Sequence, residues 1–176
     1  MSRLTHRTMP GFTYFVTTKT WQNRAIFQVN ENAELLVRCM IEYRNQGAFS
    51  LHEFVVMPNH LHLLLTPNGE TSLEKAIQLI KGGSSYQIHR IRESKIKIWN
   101  SGFHEATVRN STDFEIRREY IRMNPVKKRL VQRPELWEHS SASGHFELDV
   151  RPERLSSGAE APSVRARNVG AKAPTP

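Results

Sequence analysis

The most informative segment of this chain is Glu53-Phe54-Val55-Val56-Met57-Pro58-Asn59-His60-Leu61-His62-Leu63-Leu64-Leu65-Thr66-Pro67. Two apolar runs flank a Pro-Asn turn, a pattern that predicts two tightly joined strands. Side chains alternate across a strand that rises ~3.3 Å per residue, so His60 and His62 are expected on one face, roughly 6.6 Å apart. Imidazoles at that spacing can bind one metal ion. The alternative is two strand histidines that are partly exposed or hydrogen-bonded to nearby backbone.

Patterns on either side of this pair predict the other elements of the fold. Aromatic and β-branched residues indicate strands, and apolar residues at helical spacing behind a capping residue indicate helices. The predicted elements are a strand over 12–18, a helix over 33–44 capped by Asn32, a helix from Leu73 towards Arg92, a short strand or arm over 95–99, a strand over 103–108, and a helix that begins at Ser111 or Thr112 and ends near Asn124, before Pro125.

This order of elements predicts an α+β fold, a ferredoxin-like βαββαβ antiparallel sheet with an added C-terminal helix. Leu61, Leu63 and Leu65 are expected to face the helices, which leaves the two histidines on an open face of the sheet. Residues 1–146 are expected to form a single domain. Residues 147–176 are rich in Ala, Pro, Ser, Gly and Arg, so they are predicted to form a disordered basic tail.

The composition favours a nucleic-acid partner. The chain has 25 Lys+Arg against 17 Asp+Glu, a net charge of +8, and its pI is close to 10.0. These values favour a polyanion. No stretch approaches the ~20 apolar residues of a membrane span, and the N-terminus does not resemble a signal peptide. We therefore expect no membrane partner and a cytoplasmic location. Cys39 is the only cysteine, which excludes an internal disulfide and a multi-cysteine zinc site.

A second constellation lies in the predicted third helix, where Tyr120 and Asn124 are four residues apart and share one helix face. Together, the segment Pro58-x-His60-Leu61-His62 and the segment Tyr120-Ile121-x-x-Asn124-Pro125-Val126-Lys127 resemble the single-tyrosine HUH transposases, in particular the REP-associated tyrosine transposases. The resemblance extends from about Phe12 to Trp137, which is most of the predicted domain.

The resemblance implies an enzyme that cuts single-stranded DNA and transfers the strand through a 5′-phosphotyrosine intermediate. It makes the third helix catalytic and assigns Tyr120 as the nucleophile. It also implies that His60, His62 and Asn124 hold a divalent metal, Mg²⁺ or Mn²⁺, and that no nucleotide cofactor is needed. Other HUH transposases carry Gln at the position of Asn124, and Asn is one methylene shorter.

The expected substrate is a palindromic, REP-like hairpin. We expect a nucleoid-associated monomer, with a dimer as the alternative. Basic residues near the tyrosine and near the N-terminus could contact the DNA. They are Arg3, Arg7, Arg117, Arg118, Arg122, Lys127 and Lys128. Two other functions stay open: a DNA-binding regulator of the same fold that no longer cuts, and a metal-dependent nuclease that uses water in place of Tyr120.

Overall fold

A computed structural model describes residues 8–9, 11–93 and 95–155. Its described strands form one antiparallel sheet in the order β2-β3-β1-β4. The strands are β1 (Tyr14–Lys19), β2 (Phe49–Met57), β3 (His60–Pro67) and β4 (His104–Thr107), and the helices are α1 (Asn30–Asn45), α2 (Leu73–Arg92) and α3 (Ser111–Lys127). The predicted α+β class, with its antiparallel sheet and added C-terminal helix, is confirmed.

The second helix follows the sequence prediction closely. The Ser72 side chain accepts a hydrogen bond from the Lys75 backbone N–H, which caps α2 at its N-terminus. The helix then runs without interruption through Gly82 and Gly83 and ends at Arg92, with Glu93 as a left-handed C-cap at φ 48°. Packing against α1 therefore outweighs the low helix propensity of the two glycines.

The third helix begins at Ser111, as predicted, but it ends later than predicted. The Asn110 side chain caps it by accepting a hydrogen bond from the Asp113 backbone N–H. The predicted end near Asn124 is wrong, because α3 continues to Lys127 with Pro125 inside its last turn. Asn124 and Pro125 are both buried. Their packing offsets the preference of a residue before proline for extended geometry.

The segment between α2 and β4 is not a strand. The short strand or arm predicted over 95–99 forms only an isolated bridge between Thr20 and Trp99. Trp99 is buried and packs its ring at 5.0 Å from that of Phe27. The predicted strand over 103–108 is present as the shorter β4.

The two faces of the sheet carry separate hydrophobic cores. Leu61, Leu63 and Leu65 lie in the larger core, which packs against α1 and α2 as predicted. The opposite face is not open, because α3 crosses it and buries Phe114 and Ile121 there. The histidine face of β3 is therefore covered by the helix that also carries Tyr120 and Asn124.

The boundary predicted between the domain and the tail, at residue 147, lies too early in the chain. Residues 147–155 pack on the domain: Asp149 accepts hydrogen bonds from Arg44 at 2.9 Å and from the Leu51 backbone N–H at 2.7 Å, and Leu155 is buried. A charged group that finds a charged partner gains directional contacts that composition alone does not predict. Residues 156–176 lie outside the described part of the chain. Within the part that is described, no helix is long and apolar enough to span a bilayer.

Candidate active site

Strand β3 places His60 and His62 side by side beneath α3. In the sheet register His62 is opposite Thr17, and His60 is opposite Lys19 and Met57. The two imidazole centroids are 4.7 Å apart, and the planes lie nearly perpendicular at 81°. His62 is 4% exposed. Strand alternation thus brings both rings to one point on the same face of the sheet, as the spacing predicts, with His62 buried and His60 half-buried.

Hydrogen bonds orient the two rings. The His60 Nδ1 atom lies 2.7 Å from the Asn59 side-chain oxygen. An amide oxygen only accepts, so His60 Nδ1 carries the hydrogen and Nε2 keeps its lone pair. The His62 Nδ1 atom is 2.8 Å from the Thr17 hydroxyl. Such partners hold an imidazole in the orientation that a metal ligand requires.

Burial keeps both rings neutral. It lowers the pKa of His60 to about 4, helped by the charges of Lys128 and Lys19 and opposed by the Asn124 side chain. It lowers the pKa of His62 to about 3, with smaller contributions from His60 and Lys19. Neutral imidazole is the form that binds a metal ion. The histidines are therefore ready to act as ligands at neutral pH.

Helix α3 places Tyr120 and Asn124 next to the two histidines. The Tyr120 ring centroid is 5.3 Å from that of His62 and 5.7 Å from that of Phe15, and the side chain is 40% exposed. Asn124 is 4% exposed, and its side-chain oxygen has no hydrogen-bond partner among the described residues. A buried acceptor without a donor costs roughly 1–3 kcal/mol, so this oxygen is suited to an added ligand.

These donor atoms fit a divalent metal ion. Two neutral imidazole nitrogens and the unpartnered amide oxygen of Asn124 form a mixed N/O set, with room for further ligands. Among the described residues, no group of three or more His, Cys, Asp or Glu side chains could hold a metal ion. The candidate centre therefore depends on the Asn124 amide to complete it.

Positive charge surrounds this point. The Lys127 ammonium lies 5.4 Å from the Tyr120 ring centroid, and Lys128 and Lys19 are close enough to lower the pKa of His60. Sequence reasoning missed Lys19 and Phe15. The strand predicted over 12–18 contains Phe15 but ends before Lys19, whereas the observed β1 includes Lys19 and pairs with β3 so that Lys19 lies opposite His60. The arrangement is suited to a phosphate group.

The predicted DNA-contacting arginines divide between the two sides of α3. Arg117 lies 5.1 Å from the Phe15 ring on the tyrosine side, although it also pairs with Asp113 at 3.0 Å. Arg118 lies on the other side, where its Nε atom pairs with the buried carboxylate of Glu53 at 3.1 Å. Arg122 also acts on Glu53, because its charge lowers the pKa of that carboxylate. Arg3 and Arg7 lie outside the described residues.

The sequence model of one protein family, described as "Transposase IS200 like", matches residues 11–124. The match covers both histidines, Tyr120 and Asn124. The chain therefore belongs to the IS200-like transposases, a class of DNA-cleaving enzymes, and the prediction of an enzyme is confirmed.

Two relatives show which members of this class the chain resembles. One is the REP-associated tyrosine transposase of Escherichia coli (strain K12), 26% identical over 151 residues that cover 85% of this chain and 86% of the relative. The other is the solved structure of a REP-associated tyrosine transposase bound to a REP hairpin. It matches with a TM-score of 0.67 and 25% identity over 86% of this chain and 92% of that chain. The predicted resemblance to REP-associated tyrosine transposases is confirmed.

Proposed function

We propose that this chain cleaves and rejoins single-stranded DNA at hairpins of the REP type through a covalent bond to Tyr120. The observation that carries this proposal is the exposed tyrosine beside two neutral histidines, one buried and one half-buried, and an unpartnered amide oxygen. The solved relative was bound to a REP hairpin, which supports a hairpin as the substrate. The basic composition of the chain supports a nucleic-acid partner independently.

The proposed reaction exchanges one phosphodiester for another. The Tyr120 oxygen attacks a backbone phosphorus, an O–P bond forms, and the bond to the 3′-oxygen breaks. The tyrosine proton is lost as the 3′-oxygen becomes a hydroxyl, and the 5′-phosphate stays on the protein. The number of phosphoester bonds is conserved, so no nucleotide cofactor is required. The reverse reaction rejoins a 3′-hydroxyl to the tyrosine-bound phosphate.

His60, His62 and Asn124 would hold Mg²⁺ or Mn²⁺, which when bound supplies Lewis-acid polarisation of a phosphate oxygen. The protein itself supplies the orientation. Asn59 and Thr17 fix the two rings. The neighbouring lysines neutralise phosphate charge.

The test is a search for the covalent adduct. The protein is incubated with single-stranded hairpin DNA and Mn²⁺ or Mg²⁺, and the products are separated under denaturing conditions. A 3′-end label should move with the protein, whereas a 5′-end label should appear on a shorter strand that a polymerase can extend. Tyr120→Phe should abolish both products. Tyr86→Phe is the matched control because Tyr86 is 64% exposed on α2.

The other outcomes decide among the alternatives. Cleavage that persists in Tyr120→Phe with no adduct would assign the reaction to a water nucleophile. Binding without cleavage or adduct across varied hairpins and both metals would identify a DNA-binding regulator. Size measurement of the protein–hairpin complex tests the expected monomer against a dimer.

A further inference from the structure

A buried carboxylate connects the sheet to the flank of α3 that faces away from Tyr120. Glu53 on β2 is 2% exposed, and the Arg118 Nε atom donates to it at 3.1 Å. The Ser141 hydroxyl donates to its other oxygen. Burial raises the pKa of Glu53, against the opposing effects of Ser141, Arg122 and Arg118. The active site described above uses none of these contacts.

A β-bulge directs Glu53 towards α3. Leu51 is opposite Leu65 on β3, whereas Glu53 is opposite Leu64, so β2 holds one extra residue between these pairs. Regular alternation would place Glu53 opposite Leu63, in the core beneath α1 and α2. The extra residue instead turns Glu53 to the α3 face. Bulges commonly re-aim one side chain in this way.

Apolar packing alone does not determine the rotation of α3 about its axis. Within Ser111–Lys127 the buried side chains are Phe114, Ile121, Asn124 and Pro125. Burial of apolar surface is non-directional, and so narrow an apolar stripe tolerates small rotations. A charge-assisted hydrogen bond is directional and about twice as strong as a neutral one. The contact between Glu53 and Arg118 therefore restricts a motion that the apolar contacts leave free.

The rotation of α3 controls the position of Tyr120. Residues 118 and 120 are about 200° apart around a helix, so Arg118 and Tyr120 project from opposite flanks. At a side-chain radius of about 6 Å, a turn of about 10° moves the tyrosine by about 1 Å. A displacement of that size can reduce a reaction rate about 100-fold.

We propose that Glu53 is a positioning residue, which acts through Arg118 to set the rotation of α3 and hold Tyr120 in place beside His60 and His62. This inference rests on the proposed tyrosine reaction. It also gives Arg118 a role other than the DNA contact expected from sequence. The remaining partner of Arg118, Glu115 at 3.3 Å, lies on α3 itself. Glu115 also pairs with Arg151 of the C-terminal segment at 3.2 Å, in a contact that is exposed to solvent. Neither contact joins α3 to the sheet, and exposed ion pairs contribute little to stability, so Glu115 offers a matched control.

The first test compares Glu53→Gln and Glu115→Gln under conditions where both are folded. We measure the rate of adduct formation at saturating hairpin DNA and, separately, the hairpin Kd. Glu53→Gln should lower the rate about 10- to 100-fold and leave Kd unchanged. Glu115→Gln should change neither. Arg118→Gln should resemble Glu53→Gln, and the double variant should lose no more than the larger single loss, because both remove one contact.

Other results would overturn the proposal. An unchanged rate in Glu53→Gln does so, provided that the wild type forms the adduct and Tyr120→Phe does not. A weaker Kd with an unchanged rate in Arg118→Gln would return that residue to DNA binding. If the wild type forms no adduct at all, it is the tyrosine reaction that fails.

A second readout does not depend on catalysis. The Tyr120 ring lies 5.3 Å from His62, so a rotation of α3 should shift the NMR signals of both rings. Glu53→Gln should shift both, and Glu115→Gln should shift neither. Unshifted signals in folded Glu53→Gln would overturn the positioning role whether or not the protein cleaves DNA. If Glu53→Gln fails to fold, Arg118→Lys, which keeps the charge but loses the Nε donor, takes its place in both tests.

Discussion

The two adjacent glycines of α2 give a pair of substitutions with different expected effects on stability. A Cβ atom at Gly83 would lie 2.6 Å from Cys39 Sγ and 2.9 Å from the Tyr43 ring. A Cβ atom at Gly82 would meet nothing within 4 Å. Both positions lie in the same helix, one residue apart, so the contrast isolates the close approach of α1 and α2.

Two effects determine the expected changes in the free energy of unfolding: one is common to both sites, and the other occurs only at Gly83. In either variant, alanine improves helix propensity by about 1 kcal/mol. Only Gly83→Ala adds overpacking, which costs about 1–3 kcal/mol in a filled core. Gly82→Ala should therefore stabilise the protein by about 1 kcal/mol. The free energy of unfolding of Gly83→Ala should be about 1–3 kcal/mol lower than that of Gly82→Ala. This difference corresponds to a separation of at least about 2–4 °C in Tm.

Urea denaturation of both variants measures this difference. Adding Cys39→Ala to Gly83→Ala should recover part of the loss, because it removes the nearest clashing atom. DNA cleavage should be unchanged in both single variants, since α2 packs on the sheet face opposite the candidate site. Equal stability changes of the same sign in Gly82→Ala and Gly83→Ala would refute the close packing of the two helices at Gly83.

Three further predictions concern the site and the C-terminal segment. Asn124→Ala should weaken Mn²⁺ binding by at least about tenfold, which is the lower end of the loss expected even for a residue that supports a ligand indirectly. Asn124→Gln should retain more affinity, and calorimetry with Mn²⁺ measures both variants. An affinity in Asn124→Ala equal to that of the wild type would exclude the amide as a ligand. The pKa of His62 is about 3 in the folded protein and ordinary in the unfolded chain, so the contribution of neutral His62 to the free energy of unfolding is complete above pH ~6.5 and falls by up to about 1.4 kcal/mol per pH unit on acidification. In metal-free buffer, the free energy of unfolding should therefore fall less between pH 7 and pH 5 in His62→Asn than in the wild type. Parallel stability-against-pH curves for the two proteins would contradict this prediction. Asp149→Ala should cost about 1.5–3 kcal/mol through the lost contacts with Arg44 and the Leu51 backbone, and should make residues 147–155 sensitive to proteolysis; unchanged cleavage of this segment would show that other contacts hold it.

Several features of this protein follow from local sequence alone. Alternation in a strand puts His60 and His62 on one face wherever that strand lies in the fold, because side-chain direction has a period of two residues. Helical spacing puts Tyr120 and Asn124 on one side of α3 for the corresponding reason. The order of the elements was sufficient to predict the fold class, and the two motifs that carry these residues were sufficient to recognise the family.

Other features depend on contacts between residues that are distant in the chain. Helix α3 covers the face that was predicted to be open. Pro125 stays helical because it is buried with Asn124. Residues 147–155 are ordered because Asp149 meets Arg44, more than 100 residues away in sequence. Local propensity does not contain these energies, since each arises only after the partners are brought together.

The candidate site shows the same division. Its principal side chains were identified from sequence, but their surroundings depend on how distant parts of the chain pack together. Pairing of β1 with β3 puts Lys19 opposite His60, and burial between the sheet and α3 lowers the pKa of both histidines. The bulge in β2 turns Glu53 towards Arg118. Spacing along the chain thus determined which groups share a face, whereas desolvation and long-range pairing determined their charge, their orientation and the distances between them.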